Sequence, residues 1–143
     1  MPLKLSPSII ETFQLTEVDK KYETEGTSVT IRQAAQYEHE RRSGLYAEMV
    51  SRVAQDGTTM EVVSRFSQPE LHRIEVMLTL ADCNIVDEND EPLFKFTGKG
   101  TDRRVTDEAA FFKAWGKLPT FVADQIHDCV LKLNVGWGRL GEA

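Results

Sequence analysis

The feature that most constrains the fold of this chain is a change in the spacing of its apolar residues, about a quarter of the way along the sequence. In the runs 12–18 and 27–32, apolar and polar residues alternate, which is typical of strands with one buried face. The two runs flank a charged segment that ends in Gly26, and together they predict an antiparallel β-hairpin over 11–33. From 34 to 55 the apolar spacing becomes four residues, which predicts an amphipathic helix. A strand pair followed by helices indicates the α+β class.

The first predicted helix has an apolar face and a charged face. Tyr37, Arg41 and Leu45 begin the stripe that recurs every four residues. Glu38 and Arg42 belong to the other face, where charges four residues apart can pair in solvent for about 0.2–0.5 kcal/mol. The sequence therefore predicts that these two charged side chains are exposed.

The remaining elements follow from capping residues, glycines and prolines. β-branched residues predict a third strand over 58–66, with a continued helix as the alternative. The segments 84–87 and 93–96 flank an acidic turn and predict a second, short hairpin, and the composition of 98–104 predicts a loop. Thr106 is the predicted N-cap of the third helix. Helices are predicted over 69–81, 107–117 and 119–134, followed by a polar C-terminal tail over 135–143.

Length and charge narrow the classes of fold and partner. A chain of 143 residues is near the common size of one domain, so we expect a single domain, 1–143, of about four helices packed with a small antiparallel sheet. The net charge of −6 opposes binding to nucleic acid, whose backbone requires a basic face. The apolar stretches are far shorter than the roughly 20 residues that cross a bilayer, so no membrane association is expected. Cys83 and Cys129 are predicted to be reduced, buried thiols, as in a reducing cytoplasm.

The motifs that could support catalysis or metal binding are incomplete. His39-Glu40 begins like a zinc-protease helix, but Ser43 stands where the second histidine is required. The acidic turn begins like a calcium loop, but Pro92 takes the position of the turning glycine and Gly98 that of the bidentate carboxylate. We therefore expect no enzymatic activity, no metal and no cofactor.

Aromatic residues concentrate near the C-terminus. Core packing is one interpretation of this cluster, because most apolar stripes on helices are buried. The other is a partner-binding surface, because exposed Trp and Phe side chains are common anchors of protein interfaces. The candidate partner-binding residues are Phe111, Phe112, Trp115, Phe121 and Trp137.

Several short patterns of the chain occur together in one protein family. The segment 85–94 reads Ile-Val-Asp-Glu-Asn-Asp-Glu-Pro-Leu-Phe, and 112–118 reads Phe-x-x-Trp-x-x-Leu. The last predicted helix ends in Ile-x-x-x-Val-Leu-x-Leu-Asn over 126–134, and Val-Thr-Ile-Arg-Gln over 29–33 precedes the charged helix. In these features, which cover most of its length, the chain resembles the tail assembly chaperones of long-tailed bacteriophages. In that family an acidic turn ending in Pro-Leu-Phe precedes two helices.

The resemblance implies a non-enzymatic accessory factor in the cytoplasm of the bacterial host. Such a factor binds the tape-measure protein, and also tail-tube subunits, until the tube polymerises. Grooves between the third and fourth predicted helices would supply the contacts, and the negative charge would keep a long hydrophobic partner soluble. The alternative is a structural virion protein, such as a head-to-tail connector or a tail completion subunit. Self-association into a homo-oligomer is compatible with both.

Overall fold

A computed structural model describes residues 2–4, 9–55 and 60–139 of the chain. Its five α-helices, three-stranded antiparallel sheet and two-stranded hairpin confirm the α+β class. The strands are β1 (Ile10–Gln14), β2 (Ser28–Arg32), β3 (Leu80–Cys83), β4 (Phe96–Thr97) and β5 (Arg104–Val105). The helices are α1 (Thr16–Tyr22), α2 (Gln36–Gln55), α3 (Met60–Thr79), α4 (Glu108–Trp115) and α5 (Thr120–Leu133). Short 3-10 helices span Gly100–Asp102 and Val135–Arg139.

The N-terminal hairpin is confirmed, but its connection differs from the prediction. β1 and β2 pair antiparallel, with Phe13 opposite Val29. The predicted polar loop between them contains α1, so the end of the run 12–18 is helical. Leu15, the N-cap residue of α1, and Val18 inside the helix are both buried. A continued strand would place residues three apart on opposite faces, so the turn into the helix is what buries both side chains.

α3 replaces the predicted third strand. It runs without a break from Met60 to Thr79 with Pro69 inside it, so the strand over 58–66 is wrong within the described residues and the continued helix is confirmed. The preference of β-branched residues for strands is weak and is readily overridden by context. The predicted helix over 69–81 ends early because Leu80–Cys83 pairs with β2 as the third strand of the sheet.

The second hairpin lies further along the chain than predicted. The predicted strand pair is reduced to a single bridge between Val86 and Pro92. The regular ladder joins β4 to β5 around the predicted loop over 98–104. Gly98 has a φ of +92°, and a Cβ on it would lie 2.7 Å from the backbone oxygen of Asp102. Glycine thus permits the close turn that connects the two strands.

The two C-terminal helices lie within their predicted ranges. Asp107 rather than Thr106 caps α4, because its Oδ1 accepts a hydrogen bond from the backbone N–H of Ala110 at 3.1 Å. α5 packs against α3 and β2. The predicted polar tail is wrong over 135–139, where a 3-10 helix buries Trp137. Residues 140–143 lie outside the described residues.

A single apolar cluster connects the sheet with α1, α3, α4 and α5. Cys129 belongs to this cluster and Cys83 packs at its margin, and both are free thiols. Burial raises the pKa of Cys83 to about 11 and also raises the pKa of Cys129. Within the described ranges, no helix combines the length and the apolar character that a membrane crossing requires.

Candidate functional site

An open groove of about 860 Å³ lies beside α1. It is bounded by α1 and the loop that follows it, by residues 84–89, which lead into the acidic turn, and by the α4–α5 connection. We call this cavity the α1 groove. Its apolar lining residues are Val18, Tyr22, Ile85, Val86, Leu93, Leu118, Pro119 and Val122.

Apolar groups form the floor of the α1 groove and also reach its edge. Val18 and Val122 are buried in the floor, and Leu118 is half-buried. Tyr22 and Val86 are 50% and 49% exposed, so the fold itself does not cover them. Apolar side chains that border a concave surface and remain in solvent are typical of sites that bind another molecule.

The rim of the α1 groove is mainly acidic. Glu25, Asp87 and Glu88 contribute carboxylates, whereas Lys117 contributes an ammonium group. Carboxylates attract cationic side chains and steer them toward the groove. The lining therefore favours a partner with an apolar surface flanked by basic residues.

The acidic turn is fixed by its own hydrogen bonds. Asp87 Oδ1 accepts the backbone N–H groups of Asn89 at 2.8 Å and Glu91 at 3.1 Å. The backbone N–H of Asp87 also donates to the carbonyl of Glu91 at 2.8 Å, and Asp90 takes a left-handed conformation with φ of +61°. These bonds place Asp87 in a structural role and leave the carboxylate of Glu88 exposed on the rim.

Asn84 ties the two walls of the groove together. Its Nδ2 donates to the carbonyl of Gly26 at 2.5 Å, and its Oδ1 accepts from the backbone N–H of Ser28 at 2.9 Å. On the α1 side, the backbone N–H of Thr27 donates to Asp19 Oδ1 at 3.3 Å. Walls that are already joined lose little conformational entropy when a partner binds.

The structure separates the five candidate partner-binding residues. Phe111 and Trp137 are each only 3% exposed and belong to the core, so neither can contact a partner in this conformation. Phe112 and Trp115 are half-buried on α4, and the guanidinium of Arg73 lies 4.7 Å from the Phe112 ring. The core interpretation thus holds for Phe111 and Trp137.

Phe121 is the candidate that stacks on a residue of the α1 groove. Its ring stacks on Tyr22, with 5.6 Å between centroids and 22° between planes. Lys21 Nζ lies 5.8 Å from the same ring. Tyr22 lines the groove and Phe121 does not, so Phe121 supports the lining through this stack.

A second region combines charged side chains that the core almost completely encloses. We call it the charged cluster and define it by five residues: Arg32, Glu38, Arg42, Glu75 and His127. Glu75 is at its centre. One carboxylate oxygen accepts from Arg42 Nε at 2.7 Å, and the other accepts from His127 Nε2 at 2.7 Å. Buried charges require such paired partners, because burial of an unpaired charge is costly.

Arg32 and Glu38 form the other half of the charged cluster. Arg32 Nη1 donates to Glu38 Oε1 at 2.5 Å, and its Nη2 donates to the carbonyl of Leu78 at 2.7 Å. The same Glu38 oxygen accepts the backbone N–H of Ala35 at 3.0 Å. These bonds join the end of β2 to the start of α2 and to the end of α3.

Trp137 connects the C-terminal 3-10 helix to α2. Its indole N–H donates to His39 Nδ1 at 2.7 Å, and its carbonyl accepts from Arg42 Nη2 at 3.2 Å. The guanidinium of Arg42 also lies 5.0 Å from the indole ring centre. The charged cluster thus positions the last described turn of the chain.

His72 covers the charged cluster on one side. Its ring stacks on His127 with 3.8 Å between centroids. Burial is the main cause that lowers the pKa of His72, and the neighbouring His127 lowers it further. Both rings cannot carry a proton at this distance without strong repulsion.

The chemistry that the charged cluster can perform is limited by its enclosure. Glu75 is 1% exposed and His127 is 6% exposed, and both oxygens of Glu75 already have donors. A general base must lie within hydrogen-bond reach of a substrate proton, and the enclosure of Glu75 keeps a substrate out of that reach. We therefore assign the charged cluster a structural role. Its members are absent from the lining of the α1 groove.

Sequence reasoning placed two members of the cluster in solvent. Glu38 and Arg42 are buried, whereas Tyr37 and Arg41 from the predicted apolar stripe are exposed. Leu45 belongs both to the predicted apolar stripe and to the face of α2 that is buried in the structure. A usable signal would have been that the spacing of 38, 42 and 45 follows a helix face as closely as that of 37, 41 and 45.

Comparison with known proteins identifies no relative of this chain. Neither protein-family models, nor curated proteins, nor solved structures contain a match to this chain. Among the residues that the structure describes, no three His, Cys, Asp or Glu side chains are arranged to hold a metal ion. The α1 groove is therefore the site on which a functional proposal can be based.

Proposed function

We propose that this protein is a non-enzymatic binding protein that holds a helical segment of another protein in the α1 groove. The observation that supports the proposal is the combination of an apolar floor, two half-exposed apolar side chains and an acidic rim in one preformed cavity. An amphipathic helix that lays its apolar face in a groove is a recurring mode of recognition. The volume of about 860 Å³ corresponds to about two turns of a helix with a diameter of about 10 Å.

The partner that fits both the groove and the resemblance is the tape-measure protein of a long-tailed phage. A long hydrophobic helical protein exposes apolar stripes before the tail tube encloses it. Covering short parts of such a stripe with a protein of net charge −6 would keep the complex soluble. In this proposal the protein acts in the host cytoplasm as a tail assembly chaperone, and tail-tube subunits are a second partner.

Co-expression with the tape-measure protein of the same phage tests the proposal. We expect the two proteins to purify together and the tape-measure protein to be insoluble when it is expressed alone. Val86→Arg replaces an apolar contact by a bulky cation and should weaken the complex by about tenfold or more, because it removes apolar burial and repels the basic residues that flank the partner's apolar surface. Binding is measured by titration with a soluble fragment of the tape-measure protein.

Val135→Arg is the matched control. Val135 is 68% exposed and lies outside the groove lining, so the same change there should leave the complex intact. Equal binding by both variants would remove the groove from the proposal. Recovery of the protein as a stoichiometric component of purified virions would overturn the chaperone function and favour the structural virion protein.

A further inference from the structure

β1 forms an open edge of the three-stranded sheet. The strand order is β1-β2-β3, so β1 pairs with β2 on one side and with no other described strand. Its residues are mostly exposed, and Ile10 is 40% exposed. An unpaired edge presents free N–H and C=O groups that can pair with another strand.

The hydrogen bonds to β2 show which backbone groups point to the open edge. At one end of the ladder the N–H of Leu15 donates to Thr27 O at 2.8 Å, and at the other the N–H of Gln33 donates to Ile9 O at 2.7 Å. In an antiparallel pair, residues that bond to the neighbour alternate with residues that do not. The odd-numbered residues of β1 therefore face β2, and its even-numbered residues direct their N–H and C=O groups outward.

Three of the features that usually prevent strand addition are missing from the edge of β1, and a fourth, a charge on the face that packs on the core, is present only at Glu11. Proteins protect such edges with lysines, prolines or β-bulges. β1 contains neither lysine nor proline, its one charge is Glu11, and its register with β2 is regular throughout. We propose that β1 pairs antiparallel with β1 of a second copy of this chain, about a twofold axis at Thr12.

The sequence of β1 selects this register. With Thr12 opposite its own copy, Ile10 pairs with Gln14 of the second copy, so all three outward residues form hydrogen bonds across the axis. A register centred on Glu11 would place two carboxylates opposite each other, which is destabilising. The centre at Thr12 instead places Glu11 opposite Phe13 of the second copy.

Lys132 supplies the charge that Glu11 needs at this interface. Its Nζ lies 5.6 Å from the centre of the Phe13 ring. Glu11 and Phe13 are two residues apart on a strand and share a face, so Glu11 of the second copy would enter beside Lys132. The twofold axis repeats this ion pair. The interface shares no residue with the α1 groove, and the inference is independent of the proposed function.

Sedimentation of the full chain tests the pairing. We expect a dimer, and we expect Glu11→Lys and Lys132→Glu each to raise the dissociation constant about tenfold, since each variant places like charges together at two symmetric positions. The double variant Glu11→Lys with Lys132→Glu restores opposite charges and should recover the dimer. Rescue by the double variant would not occur if either residue acted only through the stability of the fold.

Thr12→Pro is a second, independent variant. Proline removes an N–H that points outward, so the backbone bonds between β1 and β2 remain while the bonds across the axis are interrupted. Between β1 and β2, only the 2.8 Å bond between the hydroxyls of Thr12 and Thr30 is lost. We expect a monomer with an unchanged circular dichroism spectrum. A wild-type monomer at tens of micromolar, or a dimer that neither the single charge variants nor Thr12→Pro alter, would overturn the inference. Capture of a strand from a different protein by a monomeric wild type would overturn it as well.

Discussion

The charged cluster and the α1 groove use similar residues in opposite ways. In the cluster, Glu75 is enclosed and each of its oxygens has a donor within the chain. In the groove, Glu88 lies on the rim while apolar side chains such as Val86 remain in solvent. A carboxylate that is satisfied inside the molecule fixes the packing of elements and has nothing left to offer a partner. A carboxylate beside uncovered apolar surface contributes little to the fold and remains available for recognition.

The two regions also differ in what holds them in place. The cluster joins β2, α2, α3 and α5 through residues that are at most 6% exposed. The groove is joined mainly through backbone bonds of turns and through Asn84, which leaves its side chains free to vary. The comparison predicts that stability depends on the cluster and that binding depends on the groove.

Removal of the central carboxylate should have the largest effect on stability. Glu75→Ala leaves Arg42 and His127 buried without their acceptor, which should lower the free energy of unfolding by about 3–5 kcal/mol. Urea denaturation followed by circular dichroism measures the change. A loss below about 1 kcal/mol, the ordinary effect of a point mutation, would mean that water or relaxation replaces the lost partner and that the cluster is not a structural centre.

Acidification should affect the cluster through His72. Burial and His127 lower the pKa of His72, against the opposing influence of Glu75, Asp124 and Asp128. The folded state therefore favours the neutral ring, whereas in the unfolded chain the ring takes up a proton at about pH 6.5. The stability that His72 contributes is complete above that pH and is lost as the pH falls through the lowered pKa. The free energy of unfolding should decrease over this range by less than about 1.4 kcal/mol per pH unit.

His72→Gln provides the control for this pH dependence. Glutamine cannot take up a proton in this range, so the variant should show a shallower decrease of stability with falling pH than the wild type. Urea titrations at a series of pH values measure both slopes. Identical slopes would assign the pH dependence to other groups and would separate His72 from the charged cluster.

Much of the fold could be predicted from local patterns. Alternation predicts the pairing of β1 with β2, four-residue spacing predicts α2, and capping residues, glycines and prolines predict the two C-terminal helices. The choice of buried face on α2 could not be predicted in this way. Tyr37 and Glu38 are adjacent and therefore only about 100° apart on the helix, and a stripe through Leu45 is consistent with either. What decides between them is Arg32, which binds Glu38 from β2.

Both regions depend on contacts between distant parts of the chain. Arg42 is 33 residues from Glu75, and His127 is 52 residues from it. The groove likewise brings α1 together with residues such as Leu118. Local spacing contains no information on such pairs, so the sequence predicted neither region. Of the predicted aromatic cluster, Phe121 stacks on Tyr22 in the groove lining but is not part of that lining.

The smallest effect on stability is expected when a glutamate on the groove rim, rather than Glu75, is replaced by alanine. Glu88→Ala removes a carboxylate that is exposed and lies on the groove rim, so the free energy of unfolding should change by less than about 0.5 kcal/mol. The variant should nevertheless slow association with a basic, amphipathic partner, and the difference from the wild type should disappear at high salt because the attraction is screened. Stopped-flow binding at two ionic strengths measures this. Glu75→Ala and Glu88→Ala delete the same group. Any difference between their free energies of unfolding is therefore caused by the surroundings of the two side chains. Equal destabilisation by both would contradict the division of the molecule into a structural cluster and a binding groove.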